Sequence, residues 1–417
     1  MYFFLRILDI KYLSFAIIFI VLSTVFHFGE PFIYLIGKED FISVKNIELA
    51  RYSIEIYNQA NFFALFIQSC VVTGFLLSSN KISCSYNEFV LYDREKKELK
   101  FLIGLGKILL ILGLFSYYYY YSIQIQSILN GGVYSGIRDQ NYGPEIVFKP
   151  FYHPGLFMLI IGYKKNLRIV KSLIVFGIVI ELLTMLSGNR SSQILTIIVL
   201  FFIYYRIISN LSKKKVFIFA AILFVFSNVL YLISSIRNYG IVKESENISI
   251  STLLNIDGFI SLLAQLGSNL NVVILSIRDV PLYTSFNYGW TYIVSLVSFV
   301  PNVGGILGEM PNQYAFLNYL NTDYPLGGSY IAELFFNFGW FSFPFAILIG
   351  FVLGKFNNLI EYTIINRLWI SFSLYISVLS SLLWWIRDYF SSWILVYVWI
   401  SIAIYSYKKL KVINKNI

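Results

Sequence analysis

Cysteine and histidine are almost missing from this chain: two of each in 417 residues. Cys70 falls in an apolar run and Cys84 in a Lys-rich stretch, so a disulfide framework is excluded. His27 and His153 are far apart, and no Asp-x-Asp pair flanks a single position. The sequence therefore offers no metal centre and no cofactor motif. Charge is scarce too. Only 13% of residues are charged against 58% hydrophobic, with a mean hydropathy of +0.70, which excludes a soluble globular protein. No internal repeat is visible, which argues against an inverted-repeat transporter. The pairs Gly131-Gly132 and Gly304-Gly305 lack the residues of a phosphate loop and read as turns.

What is abundant is apolar sequence in runs long enough to cross about 30 Å of hydrocarbon. The expected fold is an all-α polytopic membrane protein forming one integral membrane domain over 1–417. About ten spans are expected near 12–29, 60–79, 101–121, 150–163, 172–187, 191–208, 216–234, 330–354, 368–386 and 390–407. The fourth is short. The first is too long and too poorly flanked for a cleaved signal peptide. Successive loops alternate between Lys-rich (80–100, 164–171, 408–415) and Lys-poor (122–149), which places both termini in the cytoplasm. Tyr117 to Tyr121 cap the outer end of the third span, where an aromatic belt belongs. The net charge of +10 is then a matter of topology and anionic lipid, not of nucleic acid.

One outer loop, 235–329, is too long to be a mere connection. Within it 249–277 has the three- and four-residue apolar spacing of an amphipathic helix. The stretch 290–300 is too short to span and reads as interfacial or re-entrant.

On this topology ten of the 32 basic residues lie outside, and six of those ten are arginine; of 21 inside, only five are. Lysine alone satisfies the positive-inside rule, so the outer arginines need another reason. Guanidinium is the permanently charged, bidentate partner of phosphate, and arginines at the outer membrane edge suit a phosphate-bearing lipid. Arg190 in Ser187-Gly-Asn-Arg-Ser, Arg237 in Ser235-Ile-Arg-Asn-Tyr and Arg387 in Trp385-Ile-Arg-Asp all sit at outer ends of spans; the alternative is headgroup anchoring. Arg138 and Arg278 lie further out as substrate-binding candidates, with local pairing to Asp139 and Asp279 as the alternative.

Glu333, at the outer start of the eighth span, is the candidate base, unless it only pairs with an arginine. Asp388 is a second carboxylate open to an ion pair with Arg387. His153 is a possible base or a packed histidine. Glu181, deeper in its span, suits a buried hydrogen bond.

Residues 180 to 390 resemble the O-antigen (Wzy-type) oligosaccharide repeat-unit polymerases of bacterial envelopes. Four features carry the resemblance: the Ser-Gly-Asn-Arg turn at 187–190, Tyr-Ile-Val-Ser-Leu-Val-Ser-Phe-Val-Pro at 292–301, Gly-Gly-Ser-Tyr-Ile-Ala-Glu with Asn-Phe-Gly at 327–339, and Arg387 in the last outer turn. The chain has Trp340-Phe341-Ser342 where related proteins often have a second glycine. The resemblance implies a fold like that of C-type glycosyltransferases. It implies a metal-independent enzyme of the inner membrane, joining undecaprenyl-diphosphate-linked oligosaccharides, both donor and acceptor, at the periplasmic face. A chain-length regulator and a flippase are the implied membrane partners. On that reading Glu333, Arg190, Arg387 and Arg237 are catalytic, and Arg278, Arg138, Asp388 and His153 bind substrate. The rival readings are an O-antigen ligase and, from another class, a lipid-linked oligosaccharide flippase.

Overall fold

The computed structural model describes residues 14–38, 53–78, 88–129, 148–185, 187, 191–208, 256–297, 299–300, 327–390 and 392–413. Among the described residues there is no strand, and thirteen α-helices run in order. They are α1 Phe15–Leu35, α2 Ile54–Leu77, α3 Glu88–Leu129, α4 Tyr152–Gly162, α5 Leu167–Met185, α6 Ser191–Ile203, α7 Ile256–Gly267, α8 Leu270–Asp279, α9 Trp290–Val297, α10 Tyr330–Phe338, α11 Phe343–Ile365, α12 Trp369–Trp384 and α13 Ser392–Ile413.

A helix falls on nine of the ten expected spans; the seventh, 216–234, lies outside the described residues. By length and composition, five stretches among the described residues are apolar enough to cross a membrane: Phe15–Leu35, Ile54–Leu77, Asp93–Gln126, Tyr330–Ile365 and Trp369–Arg387. The third is longer than its apolar run predicts. Residues 88–100, expected as loop, extend α3 to 42 residues. The pairs Asp93–Lys97 and Arg94–Glu98, at 2.7 and 2.8 Å, have the i,i+4 spacing that supports a charged helix start. The amphipathic stretch 249–277 is likewise not one helix: α7 and α8 are separated at Ser268 and Asn269. Gly267 crosses α1 so closely that a Cβ there would lie 2.1 Å from the Glu30 nitrogen, and Asn269 donates its amide to the Ile386 carbonyl at 3.3 Å.

Lipid offers no hydrophobic drive for helix association, so small residues at the crossings do the work. α2 and α11 meet at Gly74 and Gly350, where a Cβ on either would come within 2.1 Å of the facing backbone. Gly113 and Gly155 bring α3 and α4 together in the same way. Large side chains such as Phe63, Phe157, Phe202, Phe336 and Phe372 are fully buried between the helices. Ile111, Phe115, Phe62 and Val352 stay exposed, on faces that acyl chains would cover.

Ion pairs gather at one end of the bundle. Glu95 of α3 accepts from Lys164, before α5, at 2.6 Å and from Arg367, before α12, at 3.4 Å. Glu98 accepts the Ile370 amide at 3.0 Å, and Arg206 pairs with Glu361 of α11. α3 and α12 both leave this end. The last turns of α3 and the Trp385–Arg387 turn after α12 are therefore at the opposite end, as is α10, which precedes α11.

Candidate functional site

At that opposite end two elements remote in sequence lie against each other. The strongest constraint is backbone on backbone. A Cβ on Gly328 would come within 2.7 Å of the Asp388 carbonyl group, and Gly327 lies against the Arg387 carbonyl and Nε. Gly328 is thus a packing requirement: only a residue without a side chain lets the start of α10 approach the Asp388 backbone, whereas a methyl at Gly327 would make ordinary contact with Arg387. Ser329 then caps α10, its Oγ accepting from the Ala332 amide at 3.3 Å, which fixes where the first helical turn points.

That turn aims Glu333 inward, 1% exposed. Its Oε2 accepts from the Trp385 indole at 3.4 Å and from the Phe390 amide at 3.3 Å, one donor on each side of Arg387 in sequence. The Thr291 hydroxyl also reaches the carboxylate. The donors offset part of the cost of burying a carboxylate. No arginine pairs with Glu333 among the described residues, so the ion-pair alternative lacks a partner there. Beside it the Tyr292 hydroxyl is buried without a hydrogen-bond partner.

Asn337 ties α9 to this helix. Its amide donates to the Glu333 carbonyl at 2.7 Å and to the Thr291 hydroxyl at 2.8 Å, and its Oδ1 accepts the Gly289 amide at 2.9 Å. The loop before α9 can follow because Gly289 adopts a φ of 86°.

Arg387 places its guanidinium 5.9 Å from the Phe26 ring of α1. Asp388 accepts from Trp384 and Tyr389, and no ion pair joins it to Arg387 among those described. Burial pushes the Asp388 carboxyl up to about 7, opposed by those two donors and reinforced by the neighbouring Glu333 carboxylate.

α1 supplies residues that sequence reasoning missed. His27 is fully buried; its Nδ1 lies 2.9 Å from the Ser23 carbonyl and its Nε2 2.8 Å from Ser329 Oγ. A carbonyl only accepts, so Nδ1 carries the proton and Nε2 accepts from the Ser329 hydroxyl. Ser23 Oγ and the Tyr330 hydroxyl are 2.9 Å apart. The first span thus braces the first turn of α10. A lone histidine more than three hundred positions from Ser329 carried no sequence signal of this; the Asn-Phe-Gly motif did carry Asn337.

His153 is not in this cluster. Its Nε2 meets Glu181 Oε1 at 2.9 Å and Thr196 Oγ1 at 3.4 Å, and Tyr117 donates to Glu181 Oε2 at 2.9 Å. The expected buried hydrogen bond of Glu181 is present. Arg278 forks onto Asp279 at 2.5 and 2.9 Å, so its local pairing is present too. Arg138, Arg190 and Arg237 lie outside the described residues. Among those described, no three His, Cys, Asp or Glu side chains are grouped to hold a metal ion.

The family model described as O-antigen polysaccharide polymerase Wzy matches residues 1–416. The chain belongs to that family. No curated protein and no solved structure matches it. Members of the Wzy family are integral inner-membrane polymerases of the glycosyltransferase type, acting on lipid-linked oligosaccharide repeat units in polysaccharide biosynthesis. The apolar helices fit a membrane protein of this kind.

Proposed function

We propose that this Wzy-family chain joins undecaprenyl-diphosphate-linked oligosaccharides at the periplasmic face, without a metal. The growing glycan leaves its lipid diphosphate and is transferred to a hydroxyl of a new lipid-linked unit. Glu333 takes the acceptor proton, the Tyr292 hydroxyl beside it helps seat that acceptor, and Arg387, with Arg190 and Arg237, stabilises the charge developing on the leaving diphosphate. Asp388, Arg278 and Arg138 serve substrate binding.

The observation that carries this reading is the contact of Gly327 and Gly328 with Arg387 and Asp388. It sets the start of α10, the helix that carries the buried Glu333, against the backbone of the turn that carries Arg387, at the bundle end away from the ion pairs of Glu95 and Glu361. That end is the periplasmic one, with both termini cytoplasmic, 235–329 outside and about ten spans in a C-type arrangement. A chain-length regulator and a flippase would be its membrane partners.

Purified protein incubated with lipid-linked repeat units alone tests the reading. A ladder of glycans on the lipid, unchanged by EDTA, is the expected result. Transfer only when lipid A core is added would identify a ligase, and no transfer at all would favour a flippase.

A further inference from the structure

The other end of the bundle, where the ion pairs gather, carries a groove that the mechanism does not use. It is a cleft of about 220 Å³ between the first turns of α12 and the last turns of α13. Ile370, Ser371 and Leu374 form one wall, and Ser401, Tyr405 and Lys408 stand on the other. The last three are spaced i, i+4 and i+7, so they share one face of α13. The groove opens outward, since Tyr405 and Lys408 are both exposed.

The carboxylates at this end are already taken. Asp93 pairs with Lys97, Glu95 with Lys164 and Arg367, Glu98 with Arg94, and Glu361 with Arg206. Lys408 has no carboxylate partner among the described residues, and neither has its exposed neighbour Lys409. The hydroxyls of the groove are open as well. Ser373 and Ser377 of α12 turn theirs back onto carbonyls of their own helix, both at 2.7 Å. Those of Ser371, Ser401 and Tyr405 make no hydrogen bond among the described residues. The result is an apolar cleft on the outside of the bundle, with donors along it and an uncompensated cation at its mouth.

A soluble anion would meet Lys408 and leave Ile370 and Leu374 uncovered. A phospholipid answers both parts: an acyl chain covers apolar wall while a headgroup phosphate meets the cation at the membrane edge. The unbalanced charge selects an anionic headgroup over a zwitterionic one, which brings its own cation. We propose that the α12–α13 groove binds one anionic phospholipid of the membrane, its phosphate at Lys408 and Tyr405 and one acyl chain over Ile370 and Leu374. Ser371 and Ser401 offer donors to its ester oxygens. The groove lies at the open end of the α12–α13 hairpin, whose turn carries Arg387, so the bound lipid staples the two helices that present that arginine. The proposal stands apart from the polymerase reading.

The test titrates delipidated full-length protein in detergent with dioleoyl phosphatidylglycerol and counts bound lipids by native mass spectrometry. The first phosphatidylglycerol should bind wild type roughly tenfold more tightly than dioleoyl phosphatidylcholine. Lys408→Ala should weaken that first binding about fivefold, the worth of one lysine at a lipid surface. Lys409→Ala removes the same charge outside the groove and should change it by less than about twofold. Ser401→Phe fills the groove and should remove the first site for both lipids. Thermal unfolding in the same micelles checks that the variants are folded. It should also show a rise with phosphatidylglycerol that Lys408→Ala loses and that inorganic phosphate does not produce. Equal effects of the two lysine variants would mean diffuse attraction to the basic tail and no site. Phosphatidylcholine binding as tightly would leave an acyl-chain groove without headgroup recognition, and a rise with phosphate alone would make the ligand a free anion. Each of these outcomes overturns the proposal. If Ser401→Phe fails to fold, the comparison of Lys408→Ala with Lys409→Ala decides alone.

Discussion

The two polar clusters around Glu333 and Glu181 hold their carboxylates differently. Glu333 is held by neutral N–H donors from Trp385 and Phe390, with no cation paired to it among the described residues. Glu181 is held by a histidine and a tyrosine, within reach of Lys149. The helix carrying Glu333 is pinned at both ends, by Ser329 with His27 at its start and by Asn337 near its end. The Glu181 cluster includes Gln124, Tyr152, Ser187 and Gln193, each with a buried polar atom that has no partner among the described residues. On the proposed reading Glu333, fixed by neutral donors, takes up the acceptor proton while Arg387 meets the charge that appears on the leaving diphosphate.

The largest effects should follow from breaking the first cluster. Arg387→Ala and Glu333→Gln should each lower the polymerisation rate by about 10²–10³-fold, as for other preorganised charge stabilisers, with normal protein in the membrane. Arg387→Lys keeps the charge and loses the fork, so only part of the rate should return. Ladders of normal length from both Arg387→Ala and Glu333→Gln would leave the first cluster without a catalytic part.

The contrast also shows what the sequence could disclose. Hydropathy was enough to expect helix where nine of the ten stretches carry one, and five stretches among the described residues are long and apolar enough to cross a membrane. Glu333 and Arg387 were conspicuous singly, as ionisable groups at membrane edges. The approach of the two elements that carry them was not, since the contact is made by Gly327 and Gly328 against Arg387 and Asp388, about sixty positions away. His27 was invisible for the same reason: its partner is Ser329, and serine in an apolar chain is unremarkable. Residues 88–100 looked like loop because their charges hide helical i,i+4 pairing. The break between α7 and α8 comes from packing on α1 and on Ile386, which no local pattern encodes.

Gly328→Ala should come next in effect. The added methyl meets backbone that cannot swing aside, and overpacking of this kind costs about 1–3 kcal/mol. A lower unfolding temperature together with lost polymerisation is expected, because the contact carries both the helix and the arginine turn. Normal unfolding with normal activity would mean that α10 does not rest on the Asp388 backbone.

His27→Ala sharpens the distinction between a residue that reacts and one that positions. It leaves the Ser329 hydroxyl buried without its acceptor, a loss of about 1–3 kcal/mol. If His27 only braces α10, kcat should fall by roughly tenfold, well short of the Glu333→Gln loss, with KM little changed. His27→Gln, whose amide oxygen can accept from Ser329, should recover part of it. A His27→Ala loss as large as that of Glu333→Gln would make the histidine a participant and not a brace.

The smallest expected effect belongs to Asp388, and it separates the clusters by their response to pH. Burial raises its carboxyl from the ordinary 3.8 to about 7, so the folded chain holds this proton where the unfolded chain has released it. The stabilisation linked to that proton is complete below pH 4 and is lost as pH rises through about 7. Between pH 6 and 8 the loss is at most about 1.4 kcal/mol, one pKa unit of linkage. Wild-type protein in detergent should therefore unfold at a higher temperature at pH 6 than at pH 8. Asp388→Asn, which stays neutral, should flatten that difference. Gln193→Glu, in the other cluster, should leave the Asp388 contribution intact. If Asp388→Asn kept the full wild-type pH dependence, the titrating group would lie elsewhere, and Asp388 would be a carboxylate already ionised beside Arg387.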